Sequence, residues 1–223
     1  MIKLQNVWKE YKLDDEIVFT ALKNINLIIK NGEFTSIVGP SGSGKSTLMH
    51  LIGLLDQPSR GTISIEDKDV SKLNDNELST VRGEFVGFVF QQFNLINKLT
   101  VMENILIPTT YARSKLDYSP VEKARYLLKR FGLEGKEKSF PNKISGGQQQ
   151  RVAIIRALIM NPKLILADEP TGNLDTKTGG EILKLLHELH EKEKMTVIIV
   201  THDPNIASKT NRQIVIKDGE IQK

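Results

Sequence analysis

Residues 39–47 read Gly39-Pro40-Ser41-Gly42-Ser43-Gly44-Lys45-Ser46-Thr47, which fits the pattern G-x-x-x-x-G-K-[ST] of loops that bind phosphate. An apolar run of strand length, Phe34–Val38, precedes this phosphate loop, and an apolar segment, Ser46–Leu55, follows it with the character of a helix. Glycines let such a loop turn its amides inward, and the helix dipole favours an anion. Lys45 adds a positive charge, and the Ser46 hydroxyl is suited to bind Mg²⁺. The phosphate loop therefore predicts nucleotide binding.

Three further apolar runs have strand length and little alternation: Phe85–Phe90, Leu164–Ala167 and Thr196–Val200. Continuous apolar runs are typical of strands that are buried on both faces of a parallel sheet. A helical pattern lies among them, in which Ile182, Leu185, Leu186 and Leu189 share one face. This alternation of strands and helices predicts a doubly wound α/β core.

The N-terminal region has a different pattern. Ile2 and Leu4 alternate with polar residues, as do the apolar residues of Ile25–Ile29, which predicts half-buried strands. The dipeptide Asn31-Gly32, common in hairpin turns, follows the second of these strands. The region is therefore expected to be rich in β structure.

Strand patterns are absent between Gln91 and Ser145. Two capping boxes are predicted instead, Thr100 with Glu103 and Ser119 with Glu122, each in front of a helical pattern. The expected buried face of the second helix is Val121, Ala124, Leu127, Leu128 and Phe131, and Gly132 is expected to end that helix. We therefore predict one domain, 1–223, in which a helical subdomain (92–159) is inserted into the remainder (1–91 and 160–223).

Two carboxylates, Asp168 and Glu169, come directly after the run Leu164–Ala167. Open α/β sheets bind ligands at this carboxyl edge of their strands. Asp168 is expected to hold Mg²⁺ through a water molecule, and Glu169 is expected to orient the water that attacks the γ-phosphate. The alternative is that these acids only cap the next helix.

Gln91 and His202 follow two other strand runs at the same predicted edge. Gln91 is a candidate for contact with Mg²⁺ or the attacking water, and His202 is a candidate donor to the γ-phosphate. The alternative for each is a polar residue that merely ends a strand.

A second glycine loop, Ser145-Gly146-Gly147-Gln148, opens a helix whose apolar residues include Val152, Ile155 and Leu158. Its amides form another potential anion site, although the chain has only one complete phosphate loop. A head-to-tail pair of identical chains explains both loops, with ATP bound by one chain and covered by the other. The alternative is a helix start with Ser145 as its N-cap.

Composition narrows the remaining possibilities. The chain has 223 residues, of which 39% are hydrophobic and 26% charged, as in globular proteins. Its net charge of +4 is not gathered into a basic arm, so no nucleic-acid partner is expected. The absence of Cys removes disulfides and thiol chemistry. No run approaches the ~18 apolar residues of a membrane helix, and no signal peptide is visible, so we expect a cytoplasmic location.

The chain resembles the ATP-binding cassette (ABC) ATPase family over nearly the whole sequence. The resemblance is carried, in order along the chain, by GPSGSGKST, Gln91, ISGGQ, LILADE, the turn Gly172–Asp175 and His202. The resemblance implies an α/β fold with a P-loop NTPase core and a mostly parallel sheet, an N-terminal antiparallel β subdomain and an inserted α-helical subdomain. It also implies ATP hydrolysis with Mg²⁺. The departures are Ile144, where the family usually has Leu, and Ile155, where it usually has Ala.

The resemblance also implies roles for individual residues. The phosphate loop matches the family's Walker A motif, Gln91 its Q-loop, and the second glycine loop its signature. Asp168 and Glu169 match the Walker B motif and catalytic glutamate, and His202 matches the switch histidine. Asp175 matches the D-loop and, like the second glycine loop, is expected to contact the ATP of a partner chain. Tyr11 falls where the family places an aromatic residue that stacks on adenine.

A finer resemblance is to MacB-like and LolD-like exporter and lipoprotein-release ATPases, carried by Gly87–Leu95, Ser145–Arg151 and Thr171–Asp175. It implies a subunit that dimerises with ATP and docks on a separate permease at the inner face of the plasma membrane. Phe93, Leu95 and Ile96 are expected either to face that permease or to pack inside the helical subdomain. Export, lipoprotein release and mechanical signalling all remain open.

Two other functions are weaker alternatives. Cytoplasmic ATPases of the same superfamily that act on nucleic acid or ribosomes usually carry a long coiled-coil insertion, a zinc site or tandem cassettes, and this sequence has none of them. A P-loop small-molecule kinase would leave the second glycine loop and His202 without a role.

Overall fold

The computed structural model describes residues 1–12 and 18–222, which form two sheets and a set of helices. The strands are β1 (Ile2–Lys12), β2 (Val18–Ile29), β3 (Phe34–Val38), β4 (Arg60–Ile65), β5 (Lys68–Asp69), β6 (Val86–Phe90), β7 (Leu164–Asp168), β8 (Thr196–Val200), β9 (Arg212–Lys217) and β10 (Glu220–Ile221). The α-helices are α1 (Lys45–Ile52), α2 (Asp75–Phe85), α3 (Val101–Leu106), α4 (Pro120–Arg130), α5 (Gly146–Leu158), α6 (Thr176–Glu193) and α7 (Pro204–Ala207). Short 3-10 helices cover Ile107–Tyr111 and Pro141–Lys143.

The larger sheet has the strand order β10-β9-β3-β8-β7-β6 and is parallel except for β10, which is antiparallel to β9. All four predicted apolar runs become strands of this sheet: β3, β6, β7 and β8. This confirms the predicted α/β core. Because parallel strands end at the same edge, the loops that follow these four strands meet there.

The smaller sheet has the order β2-β1-β4-β5 and is antiparallel, as predicted for the N-terminal region. Asn31-Gly32 forms a turn after β2, as predicted, but the turn is not part of a hairpin, because β2 pairs with β1 and β3 belongs to the larger sheet. The turn instead carries the chain between the two sheets, with Gly32 at φ +68° and its amide bonded to Thr196 Oγ1 at 2.9 Å. The turn residues set only the local bend, whereas burial of β3 on both faces sets its partners.

Both faces of the larger sheet are buried against other elements. Leu164 and Leu166 of β7 pack into one apolar cluster, which also contains α1 and the smaller sheet. Ile165 and Ala167, which alternate with them, pack into a second cluster with α3, α4, α5 and α6. Full burial of a large aliphatic side chain contributes about 1.5–3 kcal/mol. The sheet is thereby fixed between two layers, and its carboxyl edge is left free for the loops.

Residues 91–145, all of which the structure describes, contain no strand, as predicted. The capping box at Thr100 is complete, because Glu103 N donates to Thr100 Oγ1 at 3.2 Å and Thr100 N donates to Glu103 Oε2 at 2.7 Å. The box at Ser119 is only half formed. Glu122 N donates to Ser119 Oγ at 3.4 Å, but the Glu122 carboxylate pairs with Arg125 at 2.7 Å instead of returning to the Ser119 amide.

The predicted buried face of α4 is confirmed except at one position. Ala124, Leu127, Leu128 and Phe131 are buried, but Val121 is exposed because it lies in the first turn, where the apolar stripe extends past the packed core. Gly132 adopts φ +69° directly after the helix, as predicted.

Across residues 1–12 and 18–222, none of the helices has both the length and the apolar character needed to cross a bilayer.

Candidate functional site

The phosphate loop connects the end of β3 to α1. Gly39 has φ +156°, and a Cβ there would lie 2.1 Å from the Ile216 carbonyl oxygen. Gly44, the N-cap of α1, has φ +105°, and a Cβ there would lie 2.8 Å from the Ala21 carbonyl oxygen. Both positions therefore require glycine, for backbone conformation and for space. The loop path predicted from the sequence depends on these two residues.

Lys45 folds over the phosphate loop, where its Nζ donates to the carbonyls of Gly39 at 2.9 Å and Pro40 at 2.8 Å. None of the ion pairs in the described part of the chain involves Lys45, and the first turn of α1 has no acidic residue. The Ser43 Oγ atom is buried without a hydrogen-bond partner among the described residues. An ammonium without a direct ion-pair partner, a hydroxyl without a hydrogen-bond partner and a helix N-terminus suit a phosphate ligand.

Asp168 ends β7 in the loop region beside Lys45. Burial raises its pKa, the negative charge of Glu169 raises it further, and the charges of His50 and Lys45 lower it. His50 was not predicted as a neighbour of this site. The Asp168 carboxylate and the exposed Ser46 hydroxyl are hard oxygen ligands of the kind that Mg²⁺ prefers, together with phosphate oxygens. Within the described residues no cluster of three or more His, Asp or Glu forms a metal site by itself, so the chain offers a partial set that fits a Mg²⁺–nucleotide complex.

The Asp168→Asn variant tests this electrostatic description. A carboxyl whose pKa is higher in the folded protein than in the unfolded chain favours folding when it is protonated. This stabilisation is complete below the pKa of the unfolded chain, near 3.8. It is lost as the pH rises through the pKa of the folded protein. Without nucleotide and metal at pH 7, Asp168→Asn should therefore raise the melting temperature by on the order of 2 °C.

The gain should disappear as the pH approaches 4, and Mg²⁺-dependent hydrolysis should be lost at every pH. Calorimetry across this pH range measures the first effect, and phosphate release measures the second. A melting temperature lower for the variant than for the unaltered chain at pH 7 would show that burial and the charge of Glu169 do not disfavour the ionised carboxylate.

Glu169 is held from several directions. Its amide donates to the Val200 carbonyl at 2.9 Å, and its own φ is +44°. Oε1 accepts from the His202 amide at 2.9 Å and lies 2.6 Å from His202 Nδ1, while Oε2 accepts from the Thr201 hydroxyl at 3.1 Å. A left-handed backbone at a non-glycine residue costs ~1–3 kcal/mol and is typical of functional sites.

The sequence placed Glu169 and His202 at one edge, and the structure joins them directly. The Glu169 side chain is 16% exposed, and the His202 side chain is 75% exposed. A ligand can therefore reach the imidazole, while the carboxylate sits beneath it and can accept a hydrogen bond from water. Thr201 was not predicted, and its only sequence signal is its place directly before His202.

Gln91 follows β6 and bonds to the turn after β7. Its Nε2 donates to Asn173 Oδ1 at 3.4 Å, and Asn173 Nδ2 donates to the Gln91 carbonyl at 2.9 Å. In the described part of the chain, no hydrogen bond links Gln91 to Ser46, Asp168 or Glu169. Gln91 nevertheless directly follows Phe90, which pairs with Asp168 across β6 and β7. It therefore lies near one candidate Mg²⁺ ligand, and its catalytic and metal roles stay predictions.

Tyr11 lies beside the end of the phosphate loop, where its hydroxyl donates to Asp56 Oδ2 at 2.9 Å. Burial raises the tyrosine pKa, Asp56 raises it further, and a hydrogen bond with the Thr47 side chain opposes the shift. Lys9 Nζ lies 4.8 Å from the ring centroid and 2.6 Å from Asp56 Oδ1. Lys9 thus covers one face of the Tyr11 ring. The sequence alone does not identify Lys9 and Asp56 as neighbours of Tyr11, and stacking of the ring on adenine stays a prediction.

The second glycine loop forms a complete capping box. Gln148 N donates to Ser145 Oγ at 3.3 Å, and Ser145 N donates to Gln148 Oε1 at 3.0 Å. Asp175 is the N-cap of α6 and accepts from Thr178 N at 3.0 Å. Ser145 and Asp175 therefore do act as N-caps, as the alternative interpretation holds. Capping leaves the Gly146 and Gly147 amides at the start of α5 available to a ligand.

Among the described residues, no hydrogen bond or ion pair connects the second glycine loop or Asp175 to residues 39–47. The chain thus presents two candidate phosphate sites that share no hydrogen bond or ion pair among the described residues. Contact with the ATP of a partner chain stays a prediction.

Comparison with known proteins gives consistent matches. The sequence profile of the family described as ABC transporter matches residues 22–172. The uncharacterised ABC transporter ATP-binding protein MJ0796 of Methanocaldococcus jannaschii is 50% identical over 227 residues, which cover 100% of this chain and 96% of that protein. The macrolide export ATP-binding/permease protein MacB of Bdellovibrio bacteriovorus is 46% identical over 100% of this chain, which spans only 33% of MacB.

The chain is also similar over its whole length to a solved structure, a dimeric, post-hydrolysis state of the ATP-binding cassette MJ0796 bound to ADP and Pi. That structure has a TM-score of 0.89 and 49% identity, and the match covers 100% of this chain and 97% of that one.

Proposed function

We propose that this chain, which belongs to the ABC transporter family, is the ATP-hydrolysing subunit of a MacB-like or LolD-like system. The chain is an ABC ATPase that binds ATP and powers membrane transport. The alternative of an ATPase acting on nucleic acid or ribosomes is not favoured, because the relatives described above are transporter proteins.

The observation that carries the catalytic proposal is the position of the Glu169 carboxylate, which Thr201 and His202 hold at the edge beside Asp168. The phosphate loop, with Lys45, binds the phosphates of ATP. Ser46 and Asp168 would hold Mg²⁺, which supplies neutralising charge when bound. Glu169 orients the attacking water by accepting its hydrogen bond, and the exposed His202 imidazole donates toward the γ-phosphate. Removal of this carboxylate is the direct test of the proposal.

The second glycine loop has the geometry to bind the γ-phosphate of ATP on another copy of this chain. Its helix N-terminus offers the Gly146 and Gly147 amides, and Asp175 begins the neighbouring helix α6. The solved relative MJ0796 is dimeric. We therefore propose an ATP-bound homodimer in which each nucleotide lies between the phosphate loop of one chain and the second glycine loop of the other.

A groove of about 980 Å³ is the proposed seat of a separate permease. It lies beside β6, the edge strand of the larger sheet, and is lined by apolar side chains that include Phe88, Phe90, Ile107 and Tyr111. An open apolar groove at a sheet edge is suited to a protein segment. Such docking would hold the chain peripherally at the inner face of the plasma membrane.

The sequence left open whether Phe93, Leu95 and Ile96 face the permease. Leu95 is partly buried against the second apolar cluster, so the packing alternative holds for it. Ile96 is 49% exposed but does not line the groove, and Phe93 does not line it either. Tyr111, which the sequence did not single out, is the better probe.

A Tyr111→Glu variant should lose the permease while keeping basal ATPase activity within about twofold. Tyr111 is 78% exposed at the groove, so the chain should fold normally, whereas a carboxylate buried without a partner in an interface disfavours binding strongly. The measurement is the amount of integral membrane protein that a tagged chain retains from detergent-solubilised membranes of its own cells.

Tyr126→Glu is the matched control, because Tyr126 is 64% exposed on α4 and does not line the groove. Equal retention by the two variants would place the docking surface elsewhere. Retention of nucleic acid in place of membrane protein would favour the alternative function.

A further inference from the structure

The segment that leaves β6, residues 91–94, has an unusual backbone, and we call it the exit segment. Phe93 and Asn94 are both left-handed, with φ of +59° and +50°. This conformation is uncommon for any residue with a side chain and is an outlier for a bulky one. It persists only where surrounding contacts hold it. The exit segment therefore needs an external restraint. The amides of Phe93 and Asn94 donate to the carbonyls of Phe90 and Gln92, and these local bonds leave the carbonyls of Phe93 and Asn94 free to accept from elsewhere.

Arg156 supplies that restraint from the last turn of α5. Its Nη2 donates to the Phe93 carbonyl at 2.8 Å, and its Nη1 donates to the Asn94 carbonyl. Burial lowers the guanidinium pKa, and no ion pair involving Arg156 occurs in the described ranges 1–12 and 18–222. Arg156 is partly buried. Removing a cation from water without an acidic partner is costly, so the two carbonyl bonds offset part of the lost hydration. The planar fork suits two adjacent carbonyls, which a lysine cannot bind in the same way.

The Phe93 ring lies near the other end of the same helix. A Cβ on Gly146 would lie 3.7 Å from Phe93 Cζ and 3.4 Å from Leu174 Cδ2, so the ring packs beside Gly146 in the second glycine loop. Ten residues separate Gly146 from Arg156, which is about 15 Å along a helix. Phe93 thus joins both ends of α5, with its carbonyl at Arg156 and its ring at Gly146.

We propose that Arg156 is a positioning residue for the second glycine loop. It holds Phe93 in its left-handed conformation, and the Phe93 ring in turn fixes Gly146, whose amide faces the proposed site for the partner's ATP. The inference rests on the proposed function, because it concerns how that loop is arranged to receive a γ-phosphate. The Arg156 guanidinium bonds to the carbonyls of Phe93 and Asn94, and its effect on hydrolysis passes through Phe93.

The test is Arg156→Lys, which keeps the charge and loses the fork. Hydrogen exchange by mass spectrometry should be about tenfold faster in peptides covering residues 91–94 and 145–148, and unchanged in residues 39–47. The Kd of the isolated chain for ATP should stay within about twofold, because the phosphate loop is untouched. The kcat and the ATP-dependent dimerisation of a Glu169→Gln background should each fall about tenfold.

Arg151→Lys is the matched control. Arg151 lies on the same helix and also donates to a carbonyl, that of Phe131, as well as to Glu181. It makes no contact with the exit segment, so exchange in residues 145–148 should not change. Asn94→Gly added to Arg156→Lys should restore several-fold of the lost kcat, because glycine adopts a positive φ without strain.

Unchanged exchange in residues 145–148 of Arg156→Lys would overturn the positioning role. Loss of ATP binding and of the folded state in equal measure, without rescue by Asn94→Gly, would also overturn it, since a purely structural residue would behave in that way. If exchange accelerates as expected but the Glu169→Gln parent itself never dimerises, the positioning role stands and the proposed homodimer fails.

Discussion

The Glu169→Gln variant should bind ATP as tightly as the unaltered chain and hydrolyse it about 10²–10⁴-fold more slowly. The amide keeps the shape of the carboxylate, so its oxygen can still accept from the His202 amide, and its NH₂ can donate to the Thr201 hydroxyl. The backbone bond from Glu169 to Val200 does not involve the side chain. The substitution therefore removes the acceptor for the attacking water and leaves the site in place.

Phosphate release at saturating ATP measures the loss in kcat, and fluorescence titration with an ATP analogue measures binding. Lys45→Ala provides the contrast, because it removes the ammonium from the phosphate loop and should weaken ATP binding itself. Turnover by Glu169→Gln equal to that of the unaltered chain would refute the catalytic assignment. A fall in kcat accompanied by an equal fall in ATP affinity would point instead to a collapsed site.

The parallel sheet could be predicted because burial on both faces leaves an uninterrupted apolar run, as in Leu164–Ala167. Capping at Thr100 could be predicted because both partners lie within four residues. By contrast, β9 (Arg212–Lys217) has only three consecutive apolar residues, Ile214–Ile216, between polar ones, which is too short a run to predict a strand. Its place beside β3 is set by tertiary pairing, and local sequence carries no record of that.

The candidate site divides in the same way. The phosphate loop, Asp168, Glu169 and His202 could be proposed because each motif is local and follows a recognisable strand. The bonds that organise them join distant residues: Glu169 to Thr201 across 32 positions, and Gln91 to Asn173 across 82. Arg156 shows the limit most clearly, because in sequence it is an ordinary basic residue near a helix end, and only the fold brings it to Phe93.

The Glu169→Gln variant with ATP should be a dimer, whereas the same variant with ADP or without nucleotide should be a monomer. Unhydrolysed ATP offers a γ-phosphate that can bind Lys45 of one chain and the Gly146 and Gly147 amides of the other. ADP lacks that group. A ligand that binds the dimer but not the monomer shifts the monomer–dimer equilibrium toward the dimer. The shift is about 2.7 kcal/mol for each site when the ligand concentration is 100 times its Kd. Light scattering after size-exclusion chromatography measures the mass directly.

Two variants in the Glu169→Gln background separate the two halves of the proposed ATP site. Lys45→Ala should abolish dimerisation because ATP no longer binds, whereas Ser145→Arg should abolish it while ATP still binds the isolated chain, since a long charged side chain would obstruct the second glycine loop. Ser145 also caps α5, so Ser145→Ala controls for the lost cap, which costs about 1 kcal/mol. That control should fold and should dimerise more than Ser145→Arg. A monomer under every combination of ATP, magnesium and salt would contradict the shared site, because both halves of it would then lack a partner.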